Sequence, residues 1–539
     1  MSEPSEPTLR DDLPEQMRVR RAKLDRMRDR GVEPYPVTFP RTHTLAEIRA
    51  AHPDLEIDTK TGVQVGVTGR VVLSRNGGKL CFATLRDGTD ELQVMLSLDE
   101  VGEEALAGWK ADVDLGDYVG IEGEVISSRR GELSVLATRW AMLAKALRPL
   151  PDKHHGLTDP EARVRLRYVD LAVNADSRQM VRNRATVLKS VRSTLDRHDF
   201  LEVETPLLQP LHGGAAARPF TTHLNAFDQT MYLRIAIELY LKRLVVGGLD
   251  RVYEIGRNFR NEGVDSTHSP EFTMLEVYEA YGDYGTMATL TREIVLDAAR
   301  ALGSTVVPDG RGGEIDLEAE WVHLPILEAV SNAVGEEIDV ETPAEVLRKV
   351  ADRHDVSLQP SWDAAEIVVE LYEQLVEDHL LQPTFVTDYP AAVKPLAKPH
   401  RSKPGLVEAW DLIIGGVELA PAYSELNDPV EQRRRLVEQS RKAAGGDPEA
   451  MQLDEDFLRA MEFGMPPQGG MGLGIDRLIR LLTGVTSLRD TIAFPLLKPR
   501  GDEVDTIAAL APPIVVCAAF IALVVAIKKR ADAEDKDES

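Results

Sequence analysis

Two segments about two hundred residues apart constrain this chain more than anything else in it. They are RNFRNEGVDSTHSPEFTMLEVYEAY, from Arg257 to Tyr281, and QGGMGLGIDRLIRLL, from Gln468 to Leu482. The first reads as a strand, a polar loop and a second strand. Arg260 and Glu262 are expected on the first strand, His268 on the loop, and Phe272, Met274 and Glu276 along an alternating return strand. Such a hairpin suits a nucleotide: the loop offers cationic and imidazole partners for phosphates, and the flat ring of Phe272 offers a face for a purine. In the second segment Gly470, Gly472 and Gly474 remove side chains from a strand, as close approach to backbone requires, and Arg477 then opens an apolar helix. Either segment alone also fits a surface charge cluster or a packing device, but their conjunction is far more specific.

At 539 residues the chain has room for two or three domains and an ample core. A formal charge of -26 argues against a surface that is basic throughout. It leaves nucleic acid open, because phosphate contacts need only a local basic stripe. The two cysteines, Cys81 and Cys517, stand in different settings and indicate neither a disulfide framework nor a zinc site, which fits a reducing cytosol. The N-terminus is polar and charged, without the apolar stretch of a secretory signal.

Residues 1–14, rich in Pro, Glu and Ser, are expected to be disordered. MRVRRAKLDRMRDRG follows as a basic helix stopped at Gly31, with Met17, Leu24 and Met27 on one face. Five short alternating strands between about Val63 and Leu147 suggest a small barrel of the OB type, which binds single-stranded nucleic acid by stacking aromatics and backbone charges. There Phe82 would stack a base and Arg75 and Gln93 would read its edge; the alternative is that Phe82 is core. An amphipathic helix from Val181 to His198 leads into FLEVETPLLQP, a strand ended by Pro206. Residues 324–380 have helical periodicity, and TFVTDYP returns as a strand. The fold class is therefore α+β, an N-terminal OB-type β-barrel plus an antiparallel-sheet domain with a helical insertion. The expected boundaries are 1–60, 61–150, 151–500 with the insertion at 324–380, and an apolar segment with a charged tail at 501–539.

With RIAIELYLKRLVVGGLDRVYEIG (234–256), GGAAARPF (213–220) and ELAPAYSELND (418–428) added, the chain resembles the class II lysyl-tRNA synthetases from about residue 15 to Pro499. The two opening segments are similar to that family's motifs two and three. The resemblance implies ligation of L-lysine to tRNA(Lys) through a lysyl-adenylate, in a cytoplasmic homodimer joined by the 181–198 helix and the strand after it. Arg260 and Arg477 would be catalytic. ATP would meet Arg260, Glu262, His268, Phe272 and Arg477, with adenine between Phe272 and Arg477. Lysine would meet Gly214, Glu238, Glu276, Tyr278, Tyr423 and Glu425, with Glu276 and Glu425 on its side-chain ammonium, since a buried ammonium must be paired. More than one Mg2+ ion, shared with ATP, is implied at Asp411 and Glu418, although relatives generally carry Glu at the first position. The basic helix would either dock on the protein or touch tRNA, and the barrel would read the anticodon through Arg75, Phe82 and Gln93.

Departures from the pattern are Ile237 for Pro, Pro421-Ala422 for Asn-Gly, and HSPEF for HNPEF. Pro421 has no amide and no backbone N–H, so it cannot replace a hydrogen-bonding Asn. A membrane-linked supplier of lysyl-tRNA for lipid lysylation, and an inactive nucleic-acid-binding paralogue, are the alternative functions. From Thr506 to Ile527 there is no charged residue before Lys528, Lys529 and Arg530, a length able to span a bilayer although interrupted by Pro512 and Pro513. A span with the enzyme in the cytosol would place those cations outside, against the usual bias. Spanning, lying on the surface and burial against protein all stay open, with membrane contact favoured.

Overall fold

The computed structural model describes residues 13–151, 157–215, 217–265, 267–444 and 453–499. The 506–527 segment and the first twelve residues lie outside them. The chain divides into two compact units, 1–159 and 160–539.

In the first unit five strands close into a barrel: β1 (Lys60–Asn76), β2 (Leu80–Arg86), β3 (Glu91–Ser97), β4 (Tyr118–Ser127) and β5 (Leu133–Ala144), in the order β1-β2-β3-β5-β4. Strict alternation sets its faces: Cys81, Ala83 and Leu85 of β2 and Leu92, Val94 and Leu96 of β3 are buried inside. The helix Glu15–Asp29 buries Met17, Leu24 and Met27, each contributing roughly 1.5–3 kcal/mol on burial. Its cations face the protein as well as solvent. Lys23 bonds Asp114 at 2.7 Å, and Arg20 donates to the carbonyls of Leu115 and Ala146. Arg18, Arg26 and Arg28 stay exposed.

The second unit carries β6 (Leu201–Glu202), then a three-stranded sheet of β7 (Leu208–Gln209), β8 (Thr221–Leu224) and β9 (Gln229–Leu233). β10 (Arg251–Phe259) and β11 (Glu271–Ala280) follow, then the hairpin β12 (Val306–Pro308) and β13 (Glu314–Asp316). The last strands are β14 (Val322–Pro325), β15 (Thr384–Thr387), β16 (Ala409–Ile414), β17 (Val417–Ser424) and β18 (Gln468–Gly474). Eight of them form one sheet, ordered β14-β15-β16-β17-β18-β11-β10-β6, antiparallel except at its two outermost pairs. Val187, Val191 and Leu195 of the helix Ala175–Arg197 and Ile294 and Val295 of the helix Tyr284–Leu302 share one core with Leu275, Val277 and Leu473 of the sheet. Three helices between β14 and β15, Ile326–Val334, Ala344–Arg353 and Ala364–Leu375, pack a second core around Val330, Leu347 and Leu371.

Two local expectations need correction. Arg260 and Glu262 are not on a strand, because β10 ends at Phe259, opposite Glu271. The next partner, Pro270, has no N–H to continue the ladder; Arg260 N–H still reaches its carbonyl at 2.9 Å, while Asn261 N–H turns to the Arg218 carbonyl. The strand before Pro206 is also shorter than expected, ending at Glu202. There Thr205 leaves the ladder to donate from its backbone and hydroxyl to the Glu254 carboxylate, at 3.0 and 2.7 Å.

Candidate active site

Alternation along β11 puts Met274, Glu276 and Tyr278 on one face, and the antiparallel register sets Gly474, Gly472 and Gly470 of β18 directly across from them. The glycine spacing thus clears the floor of the site. A Cβ at Gly470 would collide with the Glu425 carboxylate and the Tyr278 ring.

Above this floor opens a cavity of about 420 Å³, lined among others by Gly214, Glu238, Glu276, Tyr278, Tyr423 and Glu425. All six residues expected to hold lysine therefore meet there. Glu238, Glu276 and Glu425 are each at most 6% exposed, and three buried carboxylates without cations would be prohibitive. One cation comes from the fold itself. Lys242, fully buried one helical turn after Glu238, bridges Glu238 at 2.5 Å and Glu425. Burial works against its charge, but the two carboxylates hold it protonated, above the ordinary lysine value. Among the described residues Glu276 receives only neutral donors, the Ile237 N–H at 3.2 Å and the Tyr278 hydroxyl at 3.1 Å. Burial, then the like charge of Glu238, push it up to about 7. Burial raises Glu425 as well, against the pull of Lys242. The cleft is left acidic: among the described residues no cation hydrogen-bonds the Glu276 carboxylate that faces it.

A smaller cavity of about 150 Å³ is lined by Arg260, Glu262, His268, Phe272, Glu418 and Arg477, among others. The residues expected to hold ATP therefore share one space. The Arg260 guanidinium lies 5.2 Å from the Phe272 ring centre, and Arg477 donates to the Glu418 carbonyl at 2.6 Å. His268, exposed on its loop, turns Nδ1 to Asp265 at 3.0 Å. Asp476 ties the two motifs, accepting from Thr273 N–H at 2.8 Å and pairing with Arg184. Arg260 lines both cavities, together with Met274 and Pro421. Burial lowers its pKa from the ordinary arginine value, opposed by Glu262, Glu418 and Glu276.

The acids expected around a divalent ion, Asp411 and Glu418, both lie close enough to Glu377 and Lys394 to act on their charges. Strands β16 and β17 do pair, but a register shift sets Asp411 opposite Pro421 and Glu418 opposite Ile413. Both Asp411 oxygens accept from Lys394 Nζ, at 2.8 and 3.0 Å. Among the described residues no group of three or more His, Cys, Asp and Glu is placed to hold a metal ion. Asp411 is thus paired with Lys394, while Glu418 lies 4.0 Å from Arg477. The helical insertion adds an acid that sequence reasoning missed: Glu377 is pushed up to about 7 by burial and then by Glu418, Glu373 and Asp411. Lys242 and Lys394 were missed too. The four-residue spacing from Glu238 was a usable signal for the first; the second had none, because its partner is distant in sequence.

On the barrel, Phe82 lies outside the core, between buried Cys81 and Ala83. Arg75 pairs with it across β1 and β2, and Gln93 on β3 pairs with Thr84, so the three side chains share the outer face. Gln93 also donates to Ser134 Oγ at 2.8 Å.

Comparison with known proteins agrees with both units. Residues 159–498 match the family described as tRNA synthetases class II (D, K and N), and residues 65–143 match the OB-fold nucleic acid binding domain. The chain belongs to the class II tRNA synthetases. It is 57% identical over 502 residues to the lysine–tRNA ligase of Mycolicibacterium gilvum (strain PYR-GCK), covering 92% of this chain and 99% of that protein. The lysine–tRNA ligase of Kineococcus radiotolerans is 57% identical over 493 residues, 91% of this chain and 98% of its own. Within the class, the chain's place is with these lysine–tRNA ligases. A third relative, the lysylphosphatidylglycerol biosynthesis bifunctional protein LysX of Mycobacterium ulcerans (strain Agy99), is 52% identical over 90% of this chain but only 44% of its own length.

Proposed function

We propose that this chain ligates L-lysine to tRNA in two steps at the paired cavities. The observation that carries the reading is the position of Arg260, at the junction of an acidic cleft with the cavity between motifs two and three. A lysine carboxylate and an α-phosphate would meet at that guanidinium. The carboxylate oxygen attacks the α-phosphorus and pyrophosphate leaves; a hydroxyl of the tRNA 3′-terminal ribose then attacks the lysyl carbonyl and AMP leaves. No protein nucleophile is needed, only alignment and charge neutralisation.

Glu276 and Glu425 take the side-chain ammonium, Glu238 lies toward the α-amino group, and Tyr278, Tyr423 and Gly214 shape the cleft. Phe272 and Arg477 flank the adenine, Glu262 meets its amino group and His268 the outer phosphates. Mg2+ entering with ATP would supply charge neutralisation at the phosphates, with Glu418 the acid placed to meet it. The outer face of the barrel, with Arg75, Phe82 and Gln93, takes the anticodon. Leu201, Leu207 and Leu208, exposed around the motif-one strand, support that face as the homodimer contact.

The test is lysine-dependent exchange of pyrophosphate into ATP, with ornithine and arginine as comparators. Lysine is expected to drive exchange far better than either. Equal exchange with all three, or none with lysine, overturns the reading.

A further inference from the structure

Lys394 has no role in the scheme so far, yet it lines the larger cavity together with Glu238 and Arg260. Its placement is fixed by the backbone on both sides. Before it, the chain leaves β15 through Asp388 at a φ of 63°, and Pro390 bridges to Leu406. After it, Ala397 bridges to Glu425, Leu426 N–H donates to the Leu396 carbonyl at 2.9 Å, and Lys398 N–H donates to the Ser424 carbonyl at 2.7 Å. The ammonium is delivered to Asp411 and contacts both of its oxygens, at 2.8 and 3.0 Å. It also lies 4.5 Å from the Tyr389 ring centre and 5.8 Å from that of Tyr423. Two carboxylate oxygens and two aromatic faces make a full environment for an ammonium ion.

A divalent ion requires several oxygen ligands at about 2.0–2.6 Å. At Asp411 it would have to displace the lysine, and it would stand against a fixed positive charge while it did so. We propose that Lys394 is a built-in monovalent cation occupying the place of a divalent ion at Asp411, so that Asp411 is not a metal ligand in this chain. This rests on the reading of the site as an ATP-dependent ligase, but it concerns only which cation the Asp411 carboxylate holds. Glu418, which Lys394 does not bond and which lies 4.0 Å from Arg477, is the acid left to meet an ion arriving with the nucleotide.

The experiment counts bound Mn2+ by electron paramagnetic resonance on the full chain, with and without a non-hydrolysable ATP analogue. The wild type, Asp411→Asn, Lys394→Met and the double variant are compared. The expected result is the same count for wild type and Asp411→Asn, one additional Mn2+ for Lys394→Met, and loss of that addition in the double variant. Loss of an ion on Asp411→Asn alone, or an unchanged count for a folded Lys394→Met, overturns the proposal. Should Lys394→Met not fold, because it leaves Asp411 buried without a partner, the comparison of wild type with Asp411→Asn still decides. Failure of the analogue to bind would count against the ligase reading instead, and the nucleotide-free counts would still compare the four proteins.

Discussion

At the scale of single residues, the cleft works by a shortage of positive charge. Among the described residues Glu276 has only neutral hydrogen-bond donors, so replacing it with Gln removes the charge but keeps the shape. Lysine use in Glu276→Gln is expected to weaken by roughly 1.5–3 kcal/mol, the range of a hydrogen bond to a charged group, with ATP affinity changing little. Steady-state kinetics with each substrate varied checks it, and equal losses for both would make the residue structural. The same carboxyl gives a pH dependence. Raised to about 7, it is protonated in the free enzyme on the acid side of that value, where it cannot pair with an ammonium. The KM for lysine is expected to rise as pH falls through 7, and lysine binding itself should release a proton. The stability sign is opposite: this group's relative contribution is fully present below the ordinary carboxylate value and lost as pH rises through about 7. Thermal protection by added lysine is therefore expected to grow from pH 6 to 8, and protection that shrinks over that range would reject the assignment. Lys242→Met would leave Glu238 and Glu425 buried beside each other with no cation. Breaking a buried pair costs about 3–5 kcal/mol, so denaturant unfolding should show a loss on that scale, and a loss below about 1 kcal/mol would mean the carboxylates take up protons at little cost.

At the scale of elements, sequence patterns reached the site better than the shapes around it. Alternation through Phe272, Met274 and Glu276 and the glycine spacing at 470, 472 and 474 specified two strands, and pairing in antiparallel register needs nothing more. Where β10 stops was not readable from its own residues. It depends on Pro270, eleven positions on, meeting Phe259's neighbour across the loop. The Asp411–Lys394 pair was hidden for a similar reason: spacing on a hairpin reveals which acids are near each other, not which base a separate loop will bring. On the barrel, alternation left Phe82 ambiguous, since period two fixes two faces without saying which is inside. Packing of Cys81, Ala83 and Leu85 decides it. With Phe82 on the outer face, Phe82→Ala is expected to weaken tRNA binding by about 1–3 kcal/mol, the contribution of one stacked base. Adenylate formation should be retained. Filter binding together with pyrophosphate exchange separates the two, and unchanged tRNA affinity would remove Phe82 from the interface.

At the scale of the whole molecule, the matched family region ends at residue 498, and the chain continues for a further stretch that the site chemistry does not use. From Thr506 to Ile527 the sequence carries no charge before Lys528, Lys529 and Arg530. Among the described residues no helix is long and apolar enough to cross a membrane, and the 506–527 segment lies outside them. Twenty or so apolar residues suffice for a span, yet Pro512 and Pro513 would break an uninterrupted helix, and the cations that follow favour anionic headgroups on the enzyme's own side of the bilayer. The expectation for this segment is membrane contact, and a vesicle assay separates contact at the surface from insertion. Full-length protein is expected to sediment with vesicles containing anionic lipid, to be released by high salt, and to bind neutral vesicles less well. Removal of residues 504–539 should abolish sedimentation while leaving aminoacylation intact. Salt-resistant binding would indicate insertion instead, and no sedimentation at all, or loss of folding on truncation, would make the segment part of the folded protein.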